Sequence, residues 1–140
     1  MATTHADRPA TSDAVRNPSV LVVLVTRDAM GWLRECLSSL ANQTHRRLGI
    51  VAVDNASTDG TRELLTHALG ERRVIGLDQN RGLAGAMRAA IDLPATSAAD
   101  YLLMLHDDTA LAPDAVARML EAAEGIKGIE RVGIVGPKVV

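Results

Sequence analysis

The chain has 140 residues, a formal net charge of −2 and a sequence pI near 6.0. A chain of this length fits one ordinary domain, which buries about two-thirds of its unfolded surface. The near-neutral charge disfavours a nucleic-acid-binding protein, because such proteins neutralise phosphates with clustered basic residues. The single cysteine, Cys36, excludes an internal disulfide and a metal site built from cysteines.

Two further expectations concern the ends and the location of the protein. Residues 1–18 lack hydrophobic periodicity and are predicted to be a disordered tail, which leaves residues 19–140 as one domain. No apolar run reaches the roughly 20 residues that span a bilayer, and no signal pattern precedes the first strand. We therefore expect a cytoplasmic protein without a transmembrane segment, working in solution or at the cytoplasmic face of the membrane.

Strands and helices are predicted to alternate along the domain. Apolar and β-branched runs predict strands at residues 19–25, 48–53, 73–77, 101–105 and 132–136. Helical periodicity predicts helices at residues 29–41, 61–69, about 82–93 and 113–124, with a loop between residue 94 and the fourth strand. Trp32 and Cys36 fall on the inward stripe of the first helix, so both are expected in the core. The unbroken fourth strand is expected to be buried on both faces.

This alternation is typical of an α/β domain with a mainly parallel sheet and helices on both faces. The carboxyl ends of parallel strands share one edge, where open α/β sheets bind ligands. A polar group follows each of the first four strands, and the groups are Thr26 with Asp28, then Asp54, then Asn80, then His106-Asp107-Asp108. We expect them to form a shared site.

Two adjacent carboxylates in that set, Asp107 and Asp108, repel each other unless a cation or proton is shared. Hard cations prefer oxygen ligands and often bridge a carboxylate to a phosphate, so Mg²⁺ or Mn²⁺ with a phosphate ligand suits the cluster. The plainer alternative is that acidic and hydroxyl residues of these loops are solvated or cap helices, which explains Ser57, Thr58 or Asp59. It does not explain Asp54, which stands directly at the end of its strand.

The order and spacing of these segments resemble the nucleotide-sugar-binding half of family 2 glycosyltransferases with the GT-A fold. The resemblance runs from Val20 to about Val140, and its matching segments are residues 22–27, 32–40, Gln43-Thr44, 51–61, 80–86, 102–109 and 133–137. It implies a Rossmann-like GT-A nucleotide-diphospho-sugar transferase fold, truncated before the acceptor half. It also implies inverting, metal-dependent transfer of a sugar from a nucleotide-diphosphate sugar to an unknown acceptor.

The resemblance also implies roles for the residues at the sheet edge. Those implied to bind the nucleotide sugar are Thr26, Asp28, Asp54, Asn80, Gly82, His106 and Asp107. Asp108 is implied to coordinate the divalent ion, Mn²⁺ or Mg²⁺, because His106-Asp107-Asp108 occupies the family's D-x-D position. This sequence departs from the family in having His106 where an Asp is frequent and Arg88 where Asn is frequent.

No catalytic base is identified in the sequence. Members of the family carry a second half that binds the acceptor and supplies a carboxylate base, and these 140 residues do not extend into it. Three readings stay open: a fragment of a longer transferase, a chain that needs a partner such as that half or a second copy, and a non-catalytic nucleotide-sugar-binding module.

Two other families are disfavoured by the positions of their motifs. A phosphoacceptor receiver domain, in which Lys138 would follow the fifth strand, has its Asp pair after the first strand and not the fourth. A haloacid-dehalogenase-like phosphatase, suggested by residues 58–61, needs an Asp at position 57, where this chain has Ser57.

Overall fold

Four parallel strands flanked by helices make up the computed structural model, which describes residues 17–125 and 134–136. In chain order the elements are β1 Val20–Thr26, α1 Leu33–Ala41, β2 Leu48–Asp54, α2 Thr61–Leu69, a 3₁₀ turn at Glu71–Arg73, β3 Val74–Gly76, α3 Gly82–Ile91, α4 Pro94–Ala98, β4 Tyr101–His106 and α5 Ala115–Gly125. The predicted α/β class and the parallel sheet are confirmed.

The strands lie in the order β3-β2-β1-β4. Their register aligns the carboxyl ends, with Thr26 opposite Asp54, Asp54 opposite Gly76, and Val25 opposite His106. After β3 the chain crosses to the other side of β1, so the strand order reverses between β1 and β4. Open α/β sheets bind ligands at such a reversal. A receiver domain is excluded, because its order of 2-1-3-4-5 would place β3 beside β1.

The core has one layer on each face of the sheet. All seven residues of β1 are buried, since the strand has neighbours on both sides and helices on both faces. On one face, residues of α1 and α2 pack on the strands, namely Leu33, Cys36, Leu40 and Leu65 against Val22, Leu24, Ala52 and Leu105. On the other face, Ala86 and Ala90 of α3 pack against Leu21, Val23, Val25, Val51 and Val53.

The start of α1 differs from the prediction. The helix begins at Leu33, after Trp32 in a non-helical conformation (φ −132°), and Trp32 is 52% exposed. The inward stripe therefore consists of Leu33, Cys36 and Leu40, and the expectation that Trp32 is a core residue was wrong. A short helix, α4, also replaces part of the predicted loop, with Pro94 in its first turn, where the missing proline N–H costs nothing.

Strand β4 is an edge strand of the described sheet, not a strand buried on both faces as predicted. Leu105 is buried, whereas Leu102 and Met104 are 44% and 61% exposed. These two residues are paired with Leu21 and Val23 of β1, so they lie on the same face of the sheet as α3. Helix α3 packs on β1 and β2 and does not cover β4. A continuous apolar run does not distinguish a central strand from an edge strand.

Some sequence predictions fall outside the described residues. Residues 134–136 of the predicted fifth strand (132–136) are described and do not lie in a strand, so this part of the prediction was wrong. Residues 1–16, most of the predicted tail, lie outside the described residues, as do residues 132–133 and Lys138. These stay predictions. Within residues 17–125 and 134–136, none of the helices has the length and apolar character needed to cross a membrane.

The packing of α2 gives a first test of the fold. Leu65 is fully buried between α2 and the sheet, so we expect Leu65→Ala to lower the free energy of unfolding by about 2–5 kcal/mol. Leu83→Ala is the matched control, because Leu83 is 46% exposed and its truncation should cost below about 0.5 kcal/mol. Urea denaturation measures both, and equal losses would contradict this arrangement of α2.

Candidate functional site

The carboxyl edge of the sheet brings together side chains from β1, β2 and β4. Thr26 and Asp54 are paired across β1 and β2, and they are only 2% and 1% exposed. His106 ends β4, and Asp107 and Asp108 form the turn that follows. The backbone N–H of Arg27 donates to Oδ2 of Asp107 (3.3 Å), which ties this turn to the end of β1.

His106, Asp107 and Asp108 form a cluster able to hold a metal ion. One ligand atom from each lies within 4.8 Å of the other two, with His106 and Asp108 exposed and Asp107 half-buried. The two carboxylates supply the oxygen ligands that Mn²⁺ and Mg²⁺ prefer, whereas an imidazole is more typical of Zn²⁺ and other transition-metal sites. Asp107 already uses one oxygen to accept from Arg27, so Asp108 has the freer carboxylate of the two.

Thr26 and Asp54 lie beneath this edge as a buried polar pair. The Oγ1 atom of Thr26 is buried and has no hydrogen-bond partner within the part of the chain that the structure describes. The Asp54 carboxylate accepts a long hydrogen bond from the Ser57 N–H (3.3 Å). A buried hydroxyl without a hydrogen-bond partner destabilises the folded state. The Thr26 hydroxyl and the Asp54 carboxylate can therefore both form further hydrogen bonds with a ligand at this edge.

Asp28 joins the loops that follow β1 and β2. It has a left-handed backbone conformation (φ 48°), which is uncommon outside glycine. Its Oδ1 accepts from the Thr58 N–H (2.8 Å), and its own N–H donates to Oγ of Ser57 (3.0 Å). Its other oxygen lies 3.5 Å from Nε of Arg27. The carboxylate predicted to lie at the ligand rim therefore also holds two loops together.

A second contact between the same loops was missed by the sequence analysis. Asp59 accepts from the N–H and hydroxyl of Thr61 and, through Oδ2, from the Met30 N–H (3.1 Å). The Thr61 hydroxyl in turn accepts from the Ala29 N–H (2.8 Å). The bond from Thr61 holds the pKa of Asp59 below its usual range. Gly60 occupies the N-cap position of α2 and has no side chain, but Asp59 accepts from the N–H of Thr61, the first residue of the helix, as the capping alternative predicts. Ser57 and Thr58 instead contact Asp28 and link the loops.

Asn80 and Gly82 stand at the start of α3. Asn80 is exposed, and Gly82, the first residue of the helix, has a φ of +67° that favours glycine. Both contact Asn55, the residue after Asp54, through hydrogen bonds from the Asn55 side chain. The structure thus connects the predicted residues after β3 to the same edge as Thr26 and Asp54.

Gln43 is a buried polar residue whose function the sequence analysis did not identify. Its Nε2 donates to the carbonyl oxygens of Ser39 (3.0 Å) and Ala112 (2.8 Å), and its Oε1 accepts from the Val116 N–H (3.1 Å). The backbone N–H of the next residue, Thr44, donates to the carbonyl of Pro113 (2.8 Å). These bonds fix the segment between Asp108 and α5 against the end of α1. The Gln-Thr pair after an amphipathic helix was the sequence signal.

Cys36 lies behind the acidic cluster. It is buried, and its Sγ–H donates a long hydrogen bond to the His106 carbonyl (3.8 Å). Burial raises the pKa of the thiol to about 11, and the negative charges of Asp107 and Asp108 add to the shift. Nucleophilic cysteines have a lowered pKa, so Cys36 is a core residue, as predicted.

Comparison with known sequences identifies relatives of this chain. Residues 21–129 match the family described as "Glycosyl transferase family 2". A Mycobacterium bovis protein, "PGL/p-HBAD biosynthesis glycosyltransferase", is 33% identical over 106 residues, which are 73% of this chain and 40% of the relative. The "Putative teichuronic acid biosynthesis glycosyltransferase TuaG" of Bacillus subtilis is 29% identical over 107 residues, 74% of this chain and 41% of the relative. The chain thus spans about two-fifths of the length of these relatives.

Solved structures share the fold. The mannosyltransferase PcManGT from Pyrobaculum calidifontis, in complex with GDP-Man and Mn²⁺, superposes with a TM-score of 0.67 at 23% identity, over 76% of this chain and 32% of that one. TarS 1-349 of S. aureus, in complex with UDP-GlcNAc, gives a TM-score of 0.61 at 20% identity, over 86% of this chain and 37% of that one. The predicted GT-A fold is confirmed.

The buried amide of Gln43 predicts a large effect of its removal on stability. Gln43→Ala leaves the Val116 N–H without its partner and removes one of the two donors to the Ala112 carbonyl, which keeps the bond from the Ala115 N–H. We therefore expect the free energy of unfolding to fall by about 1–3 kcal/mol. Gln79→Ala is the control, because Gln79 is exposed. Chemical denaturation compares the two, and a loss as small in Gln43→Ala as in the control would refute this anchoring role.

The raised pKa of Cys36 predicts that its thiol reacts slowly with alkylating reagents. At pH 8 a thiol with a pKa of about 11 carries about a hundredth of the thiolate of an ordinary cysteine, so native alkylation by iodoacetamide should be at least about 100-fold slower than in urea. The folded state keeps this proton up to a higher pH than the unfolded state does. The contribution of the thiol to the free energy of unfolding therefore falls as pH rises from about 9 to about 11. Equal alkylation rates in the native protein and in urea would contradict the burial of Cys36.

Proposed function

Because this chain belongs to glycosyl transferase family 2, we propose that it binds the nucleotide-sugar donor of a glycosyl transfer reaction at the carboxyl edge of its sheet. One observation carries the proposal. The buried Thr26–Asp54 pair and the His106–Asp108 cluster meet where the strand order reverses between β1 and β4. This is the position at which open α/β sheets bind ligands.

Asp108 is the proposed ligand of a divalent cation, Mn²⁺ or Mg²⁺. The carboxylate oxygens of the cluster fit such an ion, since hard cations prefer oxygen ligands, and one from each Asp lies within 4.8 Å of the other and of the His106 ring. A solved structure with the same fold holds GDP-Man and Mn²⁺. When bound, the ion would neutralise charge that builds on the leaving nucleoside diphosphate. His106 and Asp107 are proposed to contact the donor beside it.

The base and ribose of the nucleotide are assigned to the β1, β2 and β3 ends. Asp54 is proposed to accept from an N–H of the base, and the Thr26 hydroxyl, buried without a partner in the described part of the chain, to hydrogen-bond beside it. Asn80 and Gly82 are proposed to approach the ribose and diphosphate at the start of α3. Asp28 supports this rim through its contact with Thr58.

The reaction proposed for the whole enzyme is inverting transfer to a hydroxyl acceptor. Such a transfer needs a general base that takes the acceptor proton, and we assign none among residues 17–125 and 134–136. The chain spans 40% of its mycobacterial relative, so the sugar, the acceptor and the activity of the full protein are proposals. Cytoplasmic location also stays a prediction.

Removing the proposed metal ligand tests the donor site. Calorimetric titration of UDP and GDP, with and without Mn²⁺, should show metal-dependent binding of one nucleotide by the wild type. In Asp108→Ala the affinity should fall at least about 10-fold, because a direct metal ligand is lost. Asp92→Ala is the matched control, since Asp92 is an exposed carboxylate paired with Arg88 at the end of α3.

Three outcomes would count against the proposal. If the wild type binds neither UDP nor GDP in the presence of Mn²⁺, the donor site is refuted. Binding that does not depend on the metal, or an Asp108→Ala variant that binds as tightly as Asp92→Ala, would refute the metal assignment. Thermal denaturation of both variants checks that they are folded.

A further inference from the structure

Asn55 connects the end of β2 to the turn before α3. Its Oδ1 accepts from the Arg81 N–H (2.9 Å), and its Nδ2 donates to Oδ1 of Asn80 (2.8 Å) and to the Gly82 carbonyl (3.3 Å). The side chain is 5% exposed. Its own N–H donates to the Thr26 carbonyl (2.9 Å), so Asn55 is fixed to the edge where the nucleotide is proposed to bind.

Backbone groups determine which way both asparagine amides face. The Arg81 N–H can only donate, so the Asn55 atom beside it must be oxygen, and the Gly82 carbonyl can only accept, so the other must be nitrogen. Nδ2 of Asn55 therefore meets the oxygen of Asn80. The Gly82 N–H donates to the same Asn80 oxygen (2.9 Å), which confirms the assignment independently.

The Asn80 amide is consequently left with one orientation. Its oxygen receives two hydrogen bonds, from Asn55 and Gly82, whereas its NH₂ group has no partner within the described residues and belongs to an exposed side chain. A reversed Asn80 amide would place its NH₂ against the NH₂ of Asn55 and the N–H of Gly82. The network thus presents hydrogen-bond donors, and not an acceptor, at this point of the edge.

We propose that Asn55 is a positioning residue that holds the Asn80 amide with its NH₂ group outward, so that Asn80 donates to an acceptor oxygen of the bound nucleotide. The inference rests on the proposed function and specifies what Asn80 does in it. Phosphate, ribose and base carbonyl oxygens are acceptors, so an outward donor at the start of α3 complements such a ligand. Asn55 acts through Asn80 and does not itself contact the nucleotide.

Asn80→Asp separates ligand recognition from the structure of the turn. A carboxylate of the same shape still accepts from Asn55 and Gly82 through one oxygen, so the thermal unfolding temperature should stay close to that of the wild type. Its second oxygen replaces the outward NH₂ by a negative acceptor. We expect the dissociation constant for UDP or GDP, whichever the wild type binds with Mn²⁺, to rise at least about 10-fold.

Asn55→Asp tests the positioning role. Its carboxylate keeps the bond from Arg81 but faces the Asn80 oxygen with another acceptor, which favours reversal of the Asn80 amide and weaker nucleotide binding. Asn17→Asp is the matched control, because it adds the same charge at an exposed position before β1, at the opposite edge of the sheet. The control should bind the nucleotide as the wild type does.

Side-chain NH₂ resonances of ¹⁵N-labelled protein provide a spectroscopic readout. The Asn80 pair, identified by its absence in Asn80→Asp, should shift when nucleotide is added to the wild type and should already be displaced in ligand-free Asn55→Asp. Unchanged Asn80 resonances on saturation, or Asn80→Asp binding as tightly as the wild type, would overturn the inference while leaving the donor site intact. A wild type that binds neither nucleotide would instead refute the proposed function, and the inference with it.

Discussion

The parallel register of β1 with its two neighbours is the constraint on which the candidate site depends. It sets Thr26 opposite Asp54 and Val25 opposite His106, so the strand ends and their turns coincide at one edge. Two carboxylates about 4 Å apart repel by about 4 kcal/mol at an effective dielectric of 20, so Asp107 and Asp108 do not cluster for their own stability. The buried apolar strands hold them there, and the Arg27 N–H offsets part of the repulsion at Asp107.

The polar residues of this edge divide into two groups by their partners. Asp28, Asn55 and Asp59 use their side chains to join neighbouring loops. Thr26 and Asp108 have no side-chain hydrogen bond within the described residues that would compete with a ligand. A sequence shows both groups simply as polar residues after strands. Only the hydrogen-bond partners show that acidic side chains such as Asp28 and Asp59 stabilise the loops around the site. These loops in turn hold Thr26 and Asp108 in place for a ligand.

The sequence predicted the features that depend on local periodicity. The β-branched run of β1 and the apolar stripe of α2 gave their bounds to within a residue, and polar strand ends indicated the edge. Features that depend on tertiary neighbours were not predictable. Trp32 became exposed because α1 starts one residue after it, and β4 is exposed on one face because α3 covers other strands. Gln43 and Asn55 were missed because their partners lie far along the chain or in loops.

The geometry of the proposed reaction also explains why the acidic cluster is unsuited to a second task. Inverting transfer requires the acceptor to attack the anomeric carbon from the side opposite the leaving group, and the general base must stand on that opposite side. On the proposed function, Asp108 holds the ion at the leaving diphosphate, and Asp107 is bound to the end of β1 beside it. Both carboxylates are therefore on the leaving-group side, so the base must come from residues beyond this cluster. Donor binding and acceptor activation are separate tasks, and on the proposed function this edge of the sheet serves the first.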